Sequence, residues 1–88
     1  MVTKATKRHL DRVASLGCLI CERPAVIHHI RTGQGAGQRA SDYLTIPLCP
    51  DHHTQGGSGV AIHAGQKTWE ALYGSELDHL ADTIRRLG

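Results

Sequence analysis

The stretch CLICERPAVIHHIRTGQGAGQRASDYLTIPLCPDHH, residues 18–53, decides the fold. It opens on Cys18-x-x-Cys21 and closes on Cys49-x-x-His52, which together use all three cysteines of the chain. Tetrahedral zinc takes four N or S ligands, and a two-residue gap lets both side chains of a pair reach one ion. A single CxxC is weak evidence, because redox pairs share it. A redox pair belongs in a thioredoxin-like βαβ setting, which this chain lacks. Buried, unligated cysteines are the other plain alternative, but two pairs at ligand spacing favour coordination. The spacing predicts a structural zinc on Cys18, Cys21, Cys49 and His52, with no open position for chemistry.

Composition explains why such a staple is needed. The 88 residues include no Phe, one Trp and two Tyr, against seven His. Chains this short bury a modest core, and aromatic side chains carry the largest single burials. Metal coordination is expected to replace part of that stabilisation. One domain, 1–88, is the expectation.

The formal charge of +2 says little by itself. Its distribution says more: Lys4, Lys7, Arg8 and Arg12 gather near the start, whereas Glu70, Glu76, Asp78 and Asp82 gather near the end. No apolar run approaches the roughly 20 residues of a membrane span, so no membrane association is expected. An odd cysteine count and no apolar secretory run after Met1 lead to an expectation of reduced thiols and a cytoplasmic location.

Working outward from the opening stretch, Ala25–Ile30 and Tyr43–Leu48 read as short strands. The glycine-rich segment 31–40 reads as a mobile loop between them. Pro50 is placed to open a short helix. Residues 3–16 read as an amphipathic helix stopped by Gly17. Residues 62–73 read as a helix with Trp69 and Leu72 facing the core and Gly74 as its cap. Ser75 begins a last helix, in which Leu77, Leu80, Ala81, Ile84 and Leu87 share one face. The fold class is α+β.

The reactive residues lie between the ligand pairs. Side chains alternate along a strand, so His28 and His29 point to opposite sides and have different jobs. His52 and His53 point roughly 100° apart on a helix, so one can serve the zinc while the other faces a neighbouring site.

The run Cys-x-x-Cys, His-His-Ile, Leu-Cys-x-x-His-His resembles the ββα-metal core of HNH (His-Me finger) endonucleases with an embedded zinc knuckle. More narrowly, residues 28–53 resemble phage recombination-enhancement (Ref-type) nucleases and YbcO-like prophage proteins. The resemblance implies a small ββα-metal core with a zinc knuckle, flanked by N- and C-terminal helices. It implies hydrolysis of DNA phosphodiester bonds in phage recombination or DNA processing, with recombination proteins as possible partners. It makes His29 the general base, His28 and His53 ligands of a catalytic metal, and Cys18, Cys21, Cys49 and His52 the knuckle. The catalytic ion is Mg2+, Mn2+, Ni2+ or Zn2+, since imidazole ligands accept several. The family pattern has an asparagine that orients the base-bearing loop, and this chain contains none. Asp42 is the first substitute, Thr45 a weaker one.

His63 reads equally as a third ligand of the catalytic metal or as a surface histidine. Arg31 and Arg39 flank the glycine loop and are candidates to grip DNA phosphates, with solvated arginines as the plain alternative. The basic face of the first helix is a candidate extension of that surface, or simply solvated. His9 and His79 read as solvated, and Trp69 as core. The rival function is a non-catalytic zinc module that binds DNA or protein; a second metal position beyond the knuckle favours the enzyme. The sequence carries no signature of an oligomer interface.

Overall fold

Thr3 and Thr6 start the first helix by capping each other: Thr6 N–H donates to Thr3 Oγ1 at 3.1 Å and Thr3 N–H donates to Thr6 Oγ1 at 2.9 Å. That satisfies two amides the helix would otherwise leave orphaned, and α1 runs Lys4–Ser15. The computed structural model describes residues 3–35 and 37–88; Met1 and Ala36 of the glycine loop lie outside the described residues. Gly17 then takes φ +79° to turn the chain into the first ligand pair, a conformation open to glycine at little cost.

Two strands follow, β1 (Val26–His29) and β2 (Thr45–Leu48), paired antiparallel. The register sets Val26 against Leu48, Ile27 against Pro47, His28 against Ile46 and His29 against Thr45. Pro47 is tolerated because each strand of a two-stranded sheet has a free edge. A short turn of π-type helix, Asp51–Gln55, carries on from Pro50. Gly56 closes it: a Cβ there would lie 2.4 Å from Val60 Cγ1 and 2.6 Å from the Asp51 carbonyl oxygen. The remaining elements are a 3-10 turn (Ile62–Ala64), α2 (Gln66–Tyr73) and α3 (Glu76–Leu87). The chain is therefore α+β, with helices around a two-stranded sheet. Among the described residues, no helix is long and apolar enough to cross a membrane.

The core is built on Ile46, Leu48, Ile62 and Trp69, with Ile30, Leu80, Cys18 and Cys49 at its edges. Trp69 is fully buried, as its core reading requires. Two expectations about helix faces fail. The helix expected over 62–73 is interrupted at Gly65, and Tyr73, not Leu72, joins Trp69 on the core side. Leu72 is 62% exposed and lies over Gly59.

The second failure is more informative. In α3 the buried positions are Glu76, Leu80 and Thr83, whereas Leu77 and Ile84 are exposed and Ala81 lies outside with them. The helix is rotated by about one residue from its apolar face. The physical reason is Glu76, whose carboxylate is drawn into the interior by a set of hydrogen-bond donors.

Candidate functional site

Cys18, Cys21, Cys49 and His52 converge to form a cluster able to hold a metal ion, their ligand atoms all within 4.8 Å of one another. Cys21 Sγ and Cys49 Sγ are 3.6 Å apart, and His52 Nδ1 lies 3.1 Å from Cys49 Sγ and 3.7 Å from Cys18 Sγ. These are close to the edges of a tetrahedron with metal–sulfur bonds of about 2.3 Å. Local backbone makes the cluster. The turn after Cys18 closes through Glu22 N–H to the Cys18 carbonyl at 2.9 Å and Cys18 N–H to the Arg23 carbonyl at 2.8 Å. Burial pushes the Cys18 thiol up, but backbone N–H groups of Cys49, Ile20 and Cys21 outweigh it and hold the thiol below its ordinary range. At Cys21 the Arg23 N–H acts downward, yet burial and the neighbouring thiols of Cys49 and Cys18 win and raise it. One proton is thus expected to leave more readily than the other.

A second cluster joins three elements. His28 from β1, His53 from the turn 51–55 and His63 from the turn 62–64 bring one ligand atom each within 4.8 Å of one another. His53 Nε2 and His63 Nε2 are 3.0 Å apart, so the ambiguous His63 lies beside His53. Burial, followed by the charges His28, His63 and His29 would carry, pushes His53 down to about 4. His63 is lowered by burial and by His28 and Arg31, with Glu76 opposing. Both imidazoles are therefore neutral at neutral pH, the form that binds metals.

The two ring nitrogens of His28 stand in different surroundings. Its Nε2 donates to Glu76 Oε2 at 2.6 Å, and its Nδ1 is buried without a hydrogen-bond partner among the described residues. Glu76 had no place in the sequence reading beyond its charge. No local motif marks it, because it reaches His28 across 48 positions. An acidic residue right after an N-cap serine is ordinary helix chemistry.

His29 points the other way from His28, as strand alternation requires. Its Nε2 lies 2.7 Å from Asp42 Oδ1, and Arg39 Nη2 donates to the same oxygen at 3.0 Å. Those two hydrogen bonds outweigh the effect of burial and hold the Asp42 carboxyl below its usual range. Thr45 does not reach His29 in the hydrogen-bond pattern; it donates its hydroxyl to the Asp42 carbonyl at 3.0 Å. Asp42 is the residue in contact with His29, and Thr45 fixes Asp42.

His29, His53 and His63 line one cleft of about 280 Å³ together with Arg31, Gln38 and Arg39. Arg31 and Gln38 also line an adjoining polar cleft with Gln34 and Gln66. Among the basic residues of α1, Lys7 pairs with Asp11 at 3.0 Å, and Arg12 donates to the Leu87 carbonyl, tying α1 to the end of α3. The expectation of solvated His9 and His79 fails. His79 donates to the Tyr73 carbonyl at 2.7 Å and packs on Trp69, while the His9 ring packs on Tyr43. Both are half-buried because their helices are amphipathic about ring-sized side chains as well as aliphatic ones.

Residues 2–87 match the family described as a protein of unknown function (DUF968), and the chain belongs to that family. No curated protein and no solved structure matches the chain.

Proposed function

We propose that this member of the DUF968 family is a metal-dependent endonuclease of the HNH type that hydrolyses DNA phosphodiester bonds. The observation that carries the reading is the shared cleft: the carboxylate-held His29, Arg31 and Arg39 line it together with His53 and His63, two members of a three-histidine cluster whose third, His28, is buried behind them. The strand pair followed by the 51–55 turn supports a ββα-metal core, and the thiolate cluster at its base supports a zinc knuckle.

The donor sets fit their ions. Three sulfurs and one imidazole nitrogen suit zinc in a closed structural site. Three imidazoles, His53 and His63 held neutral by burial and His28 with an orphaned buried Nδ1, suit a divalent ion with open positions. When bound by His28, His53 and His63, that ion supplies charge stabilisation for the phosphoryl and leaving oxygens.

The chain's own groups do the rest. An ionised Asp42 accepts from His29 Nε2–H, which leaves the Nδ1 lone pair of His29 as the base. His29 Nδ1 takes a proton from the attacking water as its oxygen bonds to phosphorus and the bond to the leaving sugar oxygen breaks. Asp42 keeps the ring oriented and stabilises the imidazolium that forms. Arg31 and Arg39 hold the flanking phosphates. Arg39 already neutralises part of Asp42, so Arg31 is the stronger phosphate ligand.

A non-catalytic zinc module would need only the four knuckle ligands and gives no reason for a second histidine cluster beside a histidine–aspartate pair. Incubating the purified chain with labelled single- and double-stranded DNA and Mg2+, Mn2+, Ni2+ or Zn2+ tests the proposal. Cleavage with at least one ion, stopped by chelation, is expected. Binding without cleavage under every ion would favour the rival. Phage recombination or DNA processing, with recombination proteins as partners, is the biological setting we propose.

A further inference from the structure

Glu76 is fully buried, yet it carries a carboxylate. An ion taken out of water costs several kcal/mol unless it is closely paired and hydrogen-bonded, and a hydrophobic residue at this helical position would pack without that cost. The donors around it are therefore the feature to explain. Oε2 accepts from His28 Nε2 at 2.6 Å. Oε1 accepts from Arg31 N–H at 2.7 Å, Thr32 N–H at 2.8 Å and the Thr32 hydroxyl at 2.8 Å, with Gln66 Nε2 at 3.5 Å. The backbone N–H of Glu76 is itself fixed, donating to Glu70 Oε2 at 2.6 Å. Donors converge on both oxygens, as an ionised carboxylate requires, and these bonds offset the cost of its burial.

The two oxygens serve different parts of the cleft. One touches a histidine of the three-imidazole cluster. The other anchors the chain where the glycine loop begins, at the backbone of Arg31. A carboxylate used only to tie down the loop would need no histidine. One used only to neutralise a histidine would need no loop amides.

We propose that Glu76 is a positioning residue for metal capture, fixing His28 with its proton on Nε2 and Nδ1 as the ligand atom, and holding the Arg31–Thr32 backbone against the same carboxylate. The chemistry is strict on the first point. An ionised carboxylate only accepts, so the hydrogen lies on Nε2, and Nδ1 is the nitrogen left to bind. A carboxylate behind a ligating imidazole also raises its basicity and locks its ring. On the second point, one rigid group sets both the metal ligand and the base of the loop that carries Arg31, so displacement of either is felt by the other. This rests on the reading of His28, His53 and His63 as a metal site, and it is independent of whether the chain cuts DNA.

The test is metal binding, read apart from cleavage. Protein holding its knuckle ion is titrated with Co2+, and the d–d spectrum and heat report uptake at the imidazole cluster. Glu76→Gln keeps the shape but leaves one side of the network facing an NH2 group. Its Co2+ affinity at this cluster is expected to fall about 10- to 100-fold, with the knuckle ion and circular dichroism retained. Thr32→Val removes one donor to Oε1 and leaves the contact with His28, so a smaller drop is expected. Imidazole nitrogen NMR on the wild-type chain, before Co2+ is added, is expected to find His28 as the Nε2–H tautomer, and this decides the matter even if Glu76→Gln does not fold. An Nδ1–H tautomer in the wild type, or wild-type Co2+ affinity in folded Glu76→Gln, overturns the role of Glu76 and leaves the nuclease proposal standing. No Co2+ uptake by the wild-type cluster overturns both. Weakened uptake in Glu76→Gln, in a chain that never cleaves DNA, supports Glu76 and removes the nuclease.

Discussion

The cysteine-rich cluster and the imidazole cluster stand on adjacent residues, His52 and His53, and are built in opposite ways. The first is made of two pairs, each local in sequence, and its four ligands close around whatever they hold. The second takes one histidine from each of three elements, leans on a carboxylate from a fourth, and opens onto a cleft lined by His29 and Arg31. A closed tetrahedral site contributes folding energy and has no position to offer a substrate. On the proposed function, three imidazole ligands beside the anchored His29 contribute little to folding and leave positions open for chemistry.

The comparison breaks most visibly at Cys49→Ala. With Trp69 the only fully buried large aromatic among the described residues, loss of a cysteine ligand is expected to unfold the domain at ordinary temperature, since structural zinc in small domains is worth roughly 10 kcal/mol or more. Thermal unfolding with elemental analysis checks it; a folded variant without zinc would show that the cluster is not the staple. Next come the neighbours. His52→Ala is expected to lower the melting temperature sharply. His53→Ala is expected to keep the fold and knuckle zinc while losing the second ion and cleavage, with partial recovery at high metal concentration. Equal damage to stability from both would erase the distinction between the clusters.

How far each cluster was legible follows from the same difference. The ligand pairs announce themselves because CxxC and CxxH spacing is local, and strand alternation alone separates His28 from His29. Asp42 is legible through the resemblance, as the residue near the place of the missing asparagine, and it does contact His29. Glu76 was not legible: the donors closest to its carboxylate, from His28, Arg31 and Thr32, lie 44 to 48 positions away. The same residue misled the reading of α3. Apolar periodicity predicted that Leu77 and Ile84 face the core, but one buried carboxylate with charge-assisted hydrogen bonds outweighed those two contacts and turned the helix. Periodicity ranks faces by hydrophobicity alone and has no term for a polar anchor.

A smaller effect lies in acid. Glu76 has a folded-state value of about 2 against an ordinary 4.5, so its contribution to stability is fully present above pH 4.5 and is lost as pH falls toward 2. Denaturant midpoints across that window are expected to fall more steeply for the wild type than for Glu76→Gln. Parallel curves would mean the carboxylate is not held as its hydrogen bonds imply. The smallest effect is at the cleft rim. Arg31→Ala is expected to lower the slope of log DNA affinity against log salt by about one, and Arg39→Ala by less, because Asp42 already shares its guanidinium. An unchanged slope in Arg31→Ala would remove it from the DNA surface.

The central claim is that His29 is the base of a metal-dependent nuclease, and His29→Ala tests it most directly. Cleavage of labelled DNA by the two proteins is compared under the divalent ion that best supports the wild type. Circular dichroism, knuckle zinc and DNA affinity are measured on the same samples. Near-normal fold, zinc and binding are expected, with cleavage reduced about a hundred- to ten-thousand-fold, because a general base acts on the attacking water and not on the ground-state complex. Wild-type cleavage rates in His29→Ala would contradict it.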